Sequence, residues 1–238
     1  MELTRTHWRA NDGADFQKYL LTLGKGPDKA AWEKRIVNTQ LPCIAVDAKI
    51  VGRIVKEIAK GNFLEFLDLN LWEHFTNTSI NGSLICKIKD FEVMTTYLKA
   101  YANRIDNWAS CDLLKFPVKE TNKAQYYALS KEFMKSDKPF VRRMGITILF
   151  KLVDDNTYID RIFTALNSFE KEEEYYVNMV NAWLFAECFT KQREKTLEFL
   201  KTQRLNKFTL NKGIQKCRDS FRINPQDKEM LLQYKQKN

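Results

Sequence analysis

The run Asn107-Trp108-Ala109-Ser110-Cys111-Asp112 sets an indole and a carboxylate four positions apart. On a helix that spacing places both on one face, one turn apart. Such a pair either caps and packs the helix or holds something cationic. Farther along, VRRMGITIL carries adjacent Arg142 and Arg143, and VNMVNAWLF carries Trp183. Indole faces attract cations and pack on sugar C–H groups. A carboxylate adds a full negative charge, and an arginine grips a phosphate through two hydrogen bonds. Brought together, Trp108, Asp112, one of the arginines and Trp183 suit a substrate that combines a phosphate with a positive centre. The usual parts for other chemistry are missing. No histidine base adjoins these residues, and the chain has no Ser–His pair, Gly-rich phosphate loop or carboxylate cluster for a metal.

Elements far apart in sequence must position these side chains. Four segments share an apolar-small-apolar texture: WASCDLL from 108, VRRMGITIL from 141, VNMVNAWLF from 177 and TLNKGIQKC from 209. Their starts lie 33, 36 and 32 residues apart, a period that fits two helices per unit in a stacked helical-repeat solenoid. The second helix of each unit would line a concave wall and bring Trp108, Asp112, an arginine and Trp183 together across up to 75 positions. A plain helical bundle is the alternative arrangement. Glycine and proline number only 8 and 5, too few for the frequent turns of a sandwich or barrel, so the fold class is all-α. Asp47 is placed to cap AKIVGRIVKEIAK, which Gly61 would end; Asp90 precedes FEVMTTYLKAYANRI; Asp137 and Pro139 open FVRRMGITILFKLV. Further helices are predicted near 121–135, 157–167, 173–190, 192–203, 207–222 and 226–236, with one or two short ones in GNFLEFLDLNLW. No linker divides the chain, so residues 1–238 read as one domain.

The net charge is +9, and its distribution is uneven: residues 191–238 hold 13 Lys or Arg against 5 Asp or Glu. A basic end on an almost neutral body points to a polyanion, with a solvated lysine-rich face as the plain alternative. The five cysteines are widely spaced with no C-x-x-C, and both histidines, His7 and His74, are remote from any cysteine pair. That pattern argues against a zinc site or disulfide framework and suits a reducing compartment. The N-terminus has no apolar leader and no segment reaches 18 apolar residues, so a soluble, cytoplasmic chain is expected.

IDNWASCD, PFVRRMGITILFKL and YYVNMVNAWLFAE, in this order and spacing, resemble the DNA alkylation repair glycosylases built from HEAT-like repeats, the AlkD-like family. The tail FTLNKGIQKCRDSFRI resembles that family's closing repeat, and the likeness runs from about residue 84 to 222. It implies a HEAT-like solenoid with a concave DNA-binding face, acting on double-stranded DNA that carries alkylated bases. It implies no cofactor, and a monomer that wraps the duplex. The implied reaction hydrolyses the N-glycosidic bond of positively charged N3- or N7-alkylated purines, without flipping the base into a deep pocket. Carried over by motif, the catalytic set is Trp108, Asp112, Arg143 and Trp183, with Arg142 left as an outward or packing residue. Arg143, Lys151, Lys212 and Lys216 are the implied DNA contacts. Val46-Asp47-Ala48 stands where the family keeps polar DNA-contacting residues, and Ala186 where it keeps an arginine.

Taken singly, each of these residues has a plainer role. A helical tryptophan is more often core than ligand contact, and Trp8, Trp32 and Trp72, outside any motif, are assigned to packing. Cys111 and Cys188 read as small buried hydrophobes. The competing function is a non-catalytic helical-repeat scaffold that binds nucleic acid or an acidic protein.

Overall fold

Asp or Asn side chains cap five of the helices. The computed structural model describes residues 1–236. The first compact unit, Met1–Pro117, contains α1 (Ala10–Thr22), α2 (Pro27–Val37), α3 (Ala48–Ile58), α4 (Phe63–Asp68), α5 (Phe75–Ile85), α6 (Phe91–Ala102) and α7 (Trp108–Asp112). The second begins at Val118 and contains α8 (Lys123–Phe133), α9 (Pro139–Leu149), α10 (Ile159–Asn167), α11 (Tyr175–Lys191), α12 (Arg193–Thr202), α13 (Lys207–Asp219) and α14 (Pro225–Met230). No strand occurs among the described residues. The chain is all-α, as its composition requires, and compatible with a helical repeat.

Asp90, Asn107, Asn206 and Asn224 each accept a hydrogen bond from the backbone N–H three residues on, removing an orphan donor from α6, α7, α13 and α14. Asp47 precedes α3 as expected, but its carboxylate pairs with Lys25 instead of capping. Gly61 lies beyond the helix it was expected to end. Its place is against Arg5, whose carbonyl accepts from Asn62 N at 2.7 Å.

In the first unit, Phe16, Leu20, Ile54, Ile58, Ile80 and Leu84 form the centre of the core. Trp8 packs edge-on against Phe66 at 4.9 Å, as assigned. Trp32 corrects its assignment: it is 54% exposed on α2. Helix α5 was not anticipated. Its sequence FTNTSINGSLI is rich in poor helix formers, yet nine of its eleven residues are buried.

In the second unit, α11 packs against both α9 and α13, while α8 backs α9 and α12 backs α11. Gly145 lets α8 and α9 approach closely, and Ser130 Oγ donates to its carbonyl at 2.8 Å. Asn178 joins α11 to α13: its Oδ1 accepts from Asn206 Nδ2 and Thr209 Oγ1, both at 2.9 Å. Arg142 is tied down within the unit. It forks onto Glu172 at 2.8 and 3.0 Å and donates to the carbonyls of Ser136 and Asp137.

Asn181 is buried on α11, and neither of its amide atoms has a partner among the described residues. A buried polar group in that state costs about 1–3 kcal/mol. Asn181→Leu, close in volume, should therefore stabilise the fold by about 1–2 kcal/mol, seen as a higher urea midpoint at unchanged slope. A lower midpoint would show that the amide contributes to stability.

Burial pushes the thiols of Cys43, Cys86 and Cys217 up to about 12, and that of Cys188 higher still. Cys111 and Cys188 are fully buried, as small hydrophobes are.

Candidate functional site

Helix α7 is five residues long, too short to persist unaided, so its neighbours must hold it. Buried Asn107 accepts from Ser110 N at 2.8 Å at its start, and Tyr101 Oη donates to the Ser110 carbonyl at 2.8 Å. The preceding residue, Asp106, accepts from Thr39 Oγ1 and Gln40 N, each at 2.6 Å. Trp108 Nε1 donates to the Ile36 carbonyl at 3.2 Å. These bonds clamp α7 to the end of α2, where Asn38 turns the chain in the left-handed conformation at φ 58°. Trp108 and Asp112 are the first and last residues of α7 and both are half-buried. The four-residue spacing is thus realised on a single fixed turn.

Beside this pair is a cavity of about 620 Å³ lined by Val51, Val55, Ser79, Ser83, Ala109 and Leu113, with Lys87 and Lys115 also on its walls. Ala109 and Leu113 each follow a member of the pair. Glu33, on α2, also lines it. Burial raises its carboxyl above the usual range, against the lowering effect of the hydrogen bond from Ala45 N at 2.9 Å. The walls mix aliphatic and hydroxyl side chains with the Phe75 ring, two lysines and the Glu33 carboxyl.

The remaining predicted residues belong to the second unit. Trp183 is 43% exposed on α11 and packs on Phe150 at 4.7 Å. Lys151 follows Phe150 directly and is exposed. Arg143 departs from the expected phosphate grip. Only 5% exposed, it donates to the Tyr176 carbonyl at 2.6 Å. The reason is close packing of α9 on α11, which draws the guanidinium inward toward the start of α11. Lys212 is exposed on α13 and Lys216, one turn on, is half-buried. Lys212 borders a groove of about 530 Å³ with Lys207, Phe208, Asn211, Gln215 and Lys235.

The basic tail is less open than its composition suggests. Lys191, Arg193, Lys195, Lys201, Arg218 and Arg222 all lie in ion pairs. Ala186 is buried, while Glu187, one turn after Trp183, binds Arg222 at 2.7 and 3.2 Å. Sequence reasoning missed Phe150, whose only signal was its position beside Lys151. It also missed exposed Tyr175, which meets Phe208 at 5.7 Å.

Among the described residues no group of His, Cys, Asp or Glu gathers as metal ligands, and no helix is long and apolar enough to cross a membrane. A family model described as DNA alkylation repair enzyme matches residues 18–217, reaching much nearer the N-terminus than the span in which the resemblance was legible. No curated protein matches the chain.

Proposed function

Because the chain belongs to the DNA alkylation repair enzyme family, we propose that it is a monofunctional DNA glycosylase for positively charged N3- or N7-alkylated purines in duplex DNA. The observation that carries this reading is the Trp108–Asp112 pair, held on one clamped turn and partly open to solvent. Alkylation at N3 or N7 gives the purine a formal positive charge, so the base leaves with little help from a general acid. Positive charge then grows on the deoxyribose. Asp112 stabilises that charge and orients the attacking water, an electrostatic effect on the order of a few kcal/mol in a shielded site.

Trp108 packs on the sugar and contributes about 0.5–2 kcal/mol of cation stabilisation. Trp183, backed by Phe150, offers a second indole face of the same kind. Arg143 takes a positioning role, tying α9 to the first turn of α11 through Tyr176. Lys151, Lys212 and Lys216 meet phosphates and set register without reading sequence.

The test is release of 7-methylguanine or 3-methyladenine from methylated duplex DNA in buffer without added metal or cofactor. Salt-sensitive DNA binding without base release would identify the scaffold instead. Trp108→Ala should slow excision about 10-fold while changing affinity for undamaged duplex less than about threefold. Equal losses in both would mean that Trp108 only binds DNA.

A further inference from the structure

Helix α2 presents a second apolar surface against the end of which Trp108 is fastened. Trp32 and Ile36, one turn apart on this helix, are 54% and 48% exposed. An isolated exposed side chain needs no explanation, but two large ones on adjacent turns form a patch. The Trp108 indole donates to the Ile36 carbonyl, and Asp106 holds Thr39 and Gln40, so the patch is fixed relative to α7. Lys29 and Arg35 flank Trp32 at a spacing of three, both exposed, with exposed Asp28 as the acidic neighbour on that side. The other carboxylate of the helix, Glu33, lines the cavity.

We infer that α2 is a DNA-contacting helix, on which Trp32 and Ile36 lie against deoxyribose faces while Lys29 and Arg35 take the adjoining phosphates. The chemistry is that of a sequence-tolerant backbone contact: an aromatic face for sugar C–H groups, an aliphatic neighbour, and cations at helical spacing. A neutral protein partner would not call for the flanking cations. The inference rests on duplex DNA as the substrate.

The experiment has two arms. In the first, an undamaged duplex carrying 5-iodouridine is irradiated with the intact protein and the coupled peptides are mapped. Coupling within Pro27–Val37 is expected. In the second, Trp32→Ala should weaken binding of undamaged and methylated duplex alike by roughly tenfold, raising KM with a far smaller effect on kcat. Lys29→Gln and Arg35→Gln should each lower the salt slope by about 1.

If Trp32→Ala binds within twofold of the parent and no coupling reaches α2, the inference is overturned while the glycosylase reading stands. If the parent releases no methylpurine, the glycosylase reading fails, and both arms still decide whether α2 meets DNA. A change in sedimentation of the DNA-free Trp32→Ala protein would assign the patch to self-association and also overturn the inference.

Discussion

Asp112→Asn should lower the single-turnover rate of 7-methylguanine release by a factor on the order of 10²–10³, with affinity for undamaged duplex within about twofold. The substitution keeps shape and hydrogen-bonding capacity but removes the charge, so it isolates electrostatic stabilisation of the sugar cation. The turn that carries Asp112 is held by Asn107, by Tyr101 through the Ser110 carbonyl, and by Trp108 through Ile36. None of these bonds involves the carboxylate, and a melting curve of the variant measures what the Asp112 side chain itself adds to the fold. The measurement pairs a quench-flow excision assay with a melting curve. Full activity in the variant would remove Asp112 from the mechanism. Lost activity with a collapsed midpoint would indicate damage to the fold instead.

The second large effect falls on stability. A Cβ at Gly145 would stand 2.9 Å from both Met134 N and the Ser130 carbonyl oxygen, and 3.0 Å from Phe133 Cβ. Two of these neighbours are backbone, so relief requires α8 and α9 to separate. Overpacking of this kind costs about 1–3 kcal/mol, partly offset in alanine by its roughly 1 kcal/mol advantage over glycine in helices. Gly145→Val, with further methyls and a smaller helix advantage, should lose about 3 kcal/mol and weaken the Ser130–Gly145 bond. Gly52 is the control: a Cβ there meets nothing within 4 Å, so Gly52→Ala should gain about 0.5–1 kcal/mol. Urea titrations of the two variants test the contrast. A Gly145→Val protein as stable as the parent would show that this helix pair is not closely fixed.

What could be read from the chain followed from local rules. Asp90 before an apolar period locates α6, and Pro139 at a helix start locates α9. The W-x-x-x-D spacing fell on one helix turn because both residues are set by the same few bonds. Where long-range contact decides, the reading was incomplete. Helix α5 buries Thr76, Asn77, Thr78 and Asn81 along with its apolar residues and shows no polar stripe to betray it. Of the adjacent arginines, Arg142 is settled by Glu172, 30 positions on, and Arg143 by the Tyr176 carbonyl, 33 positions on. Neither partner is visible from the VRR motif. Trp32 was assigned to packing on the ordinary behaviour of isolated tryptophans, but only Val37 of α2 is buried, which leaves the indole outside.

The thiols bear on how such a protein fares among electrophiles. Methylating reagents react with thiolate far more readily than with thiol, since the anion is the nucleophile. A sulfhydryl titrating near 12, like those of Cys43, Cys86 and Cys217, is ionised in only about one molecule in 10⁵ at neutral pH. Cys111 and Cys188 are out of contact with solvent altogether. The thiols are thus poor targets for methylating reagents, the class of electrophile that also puts methyl groups on purines.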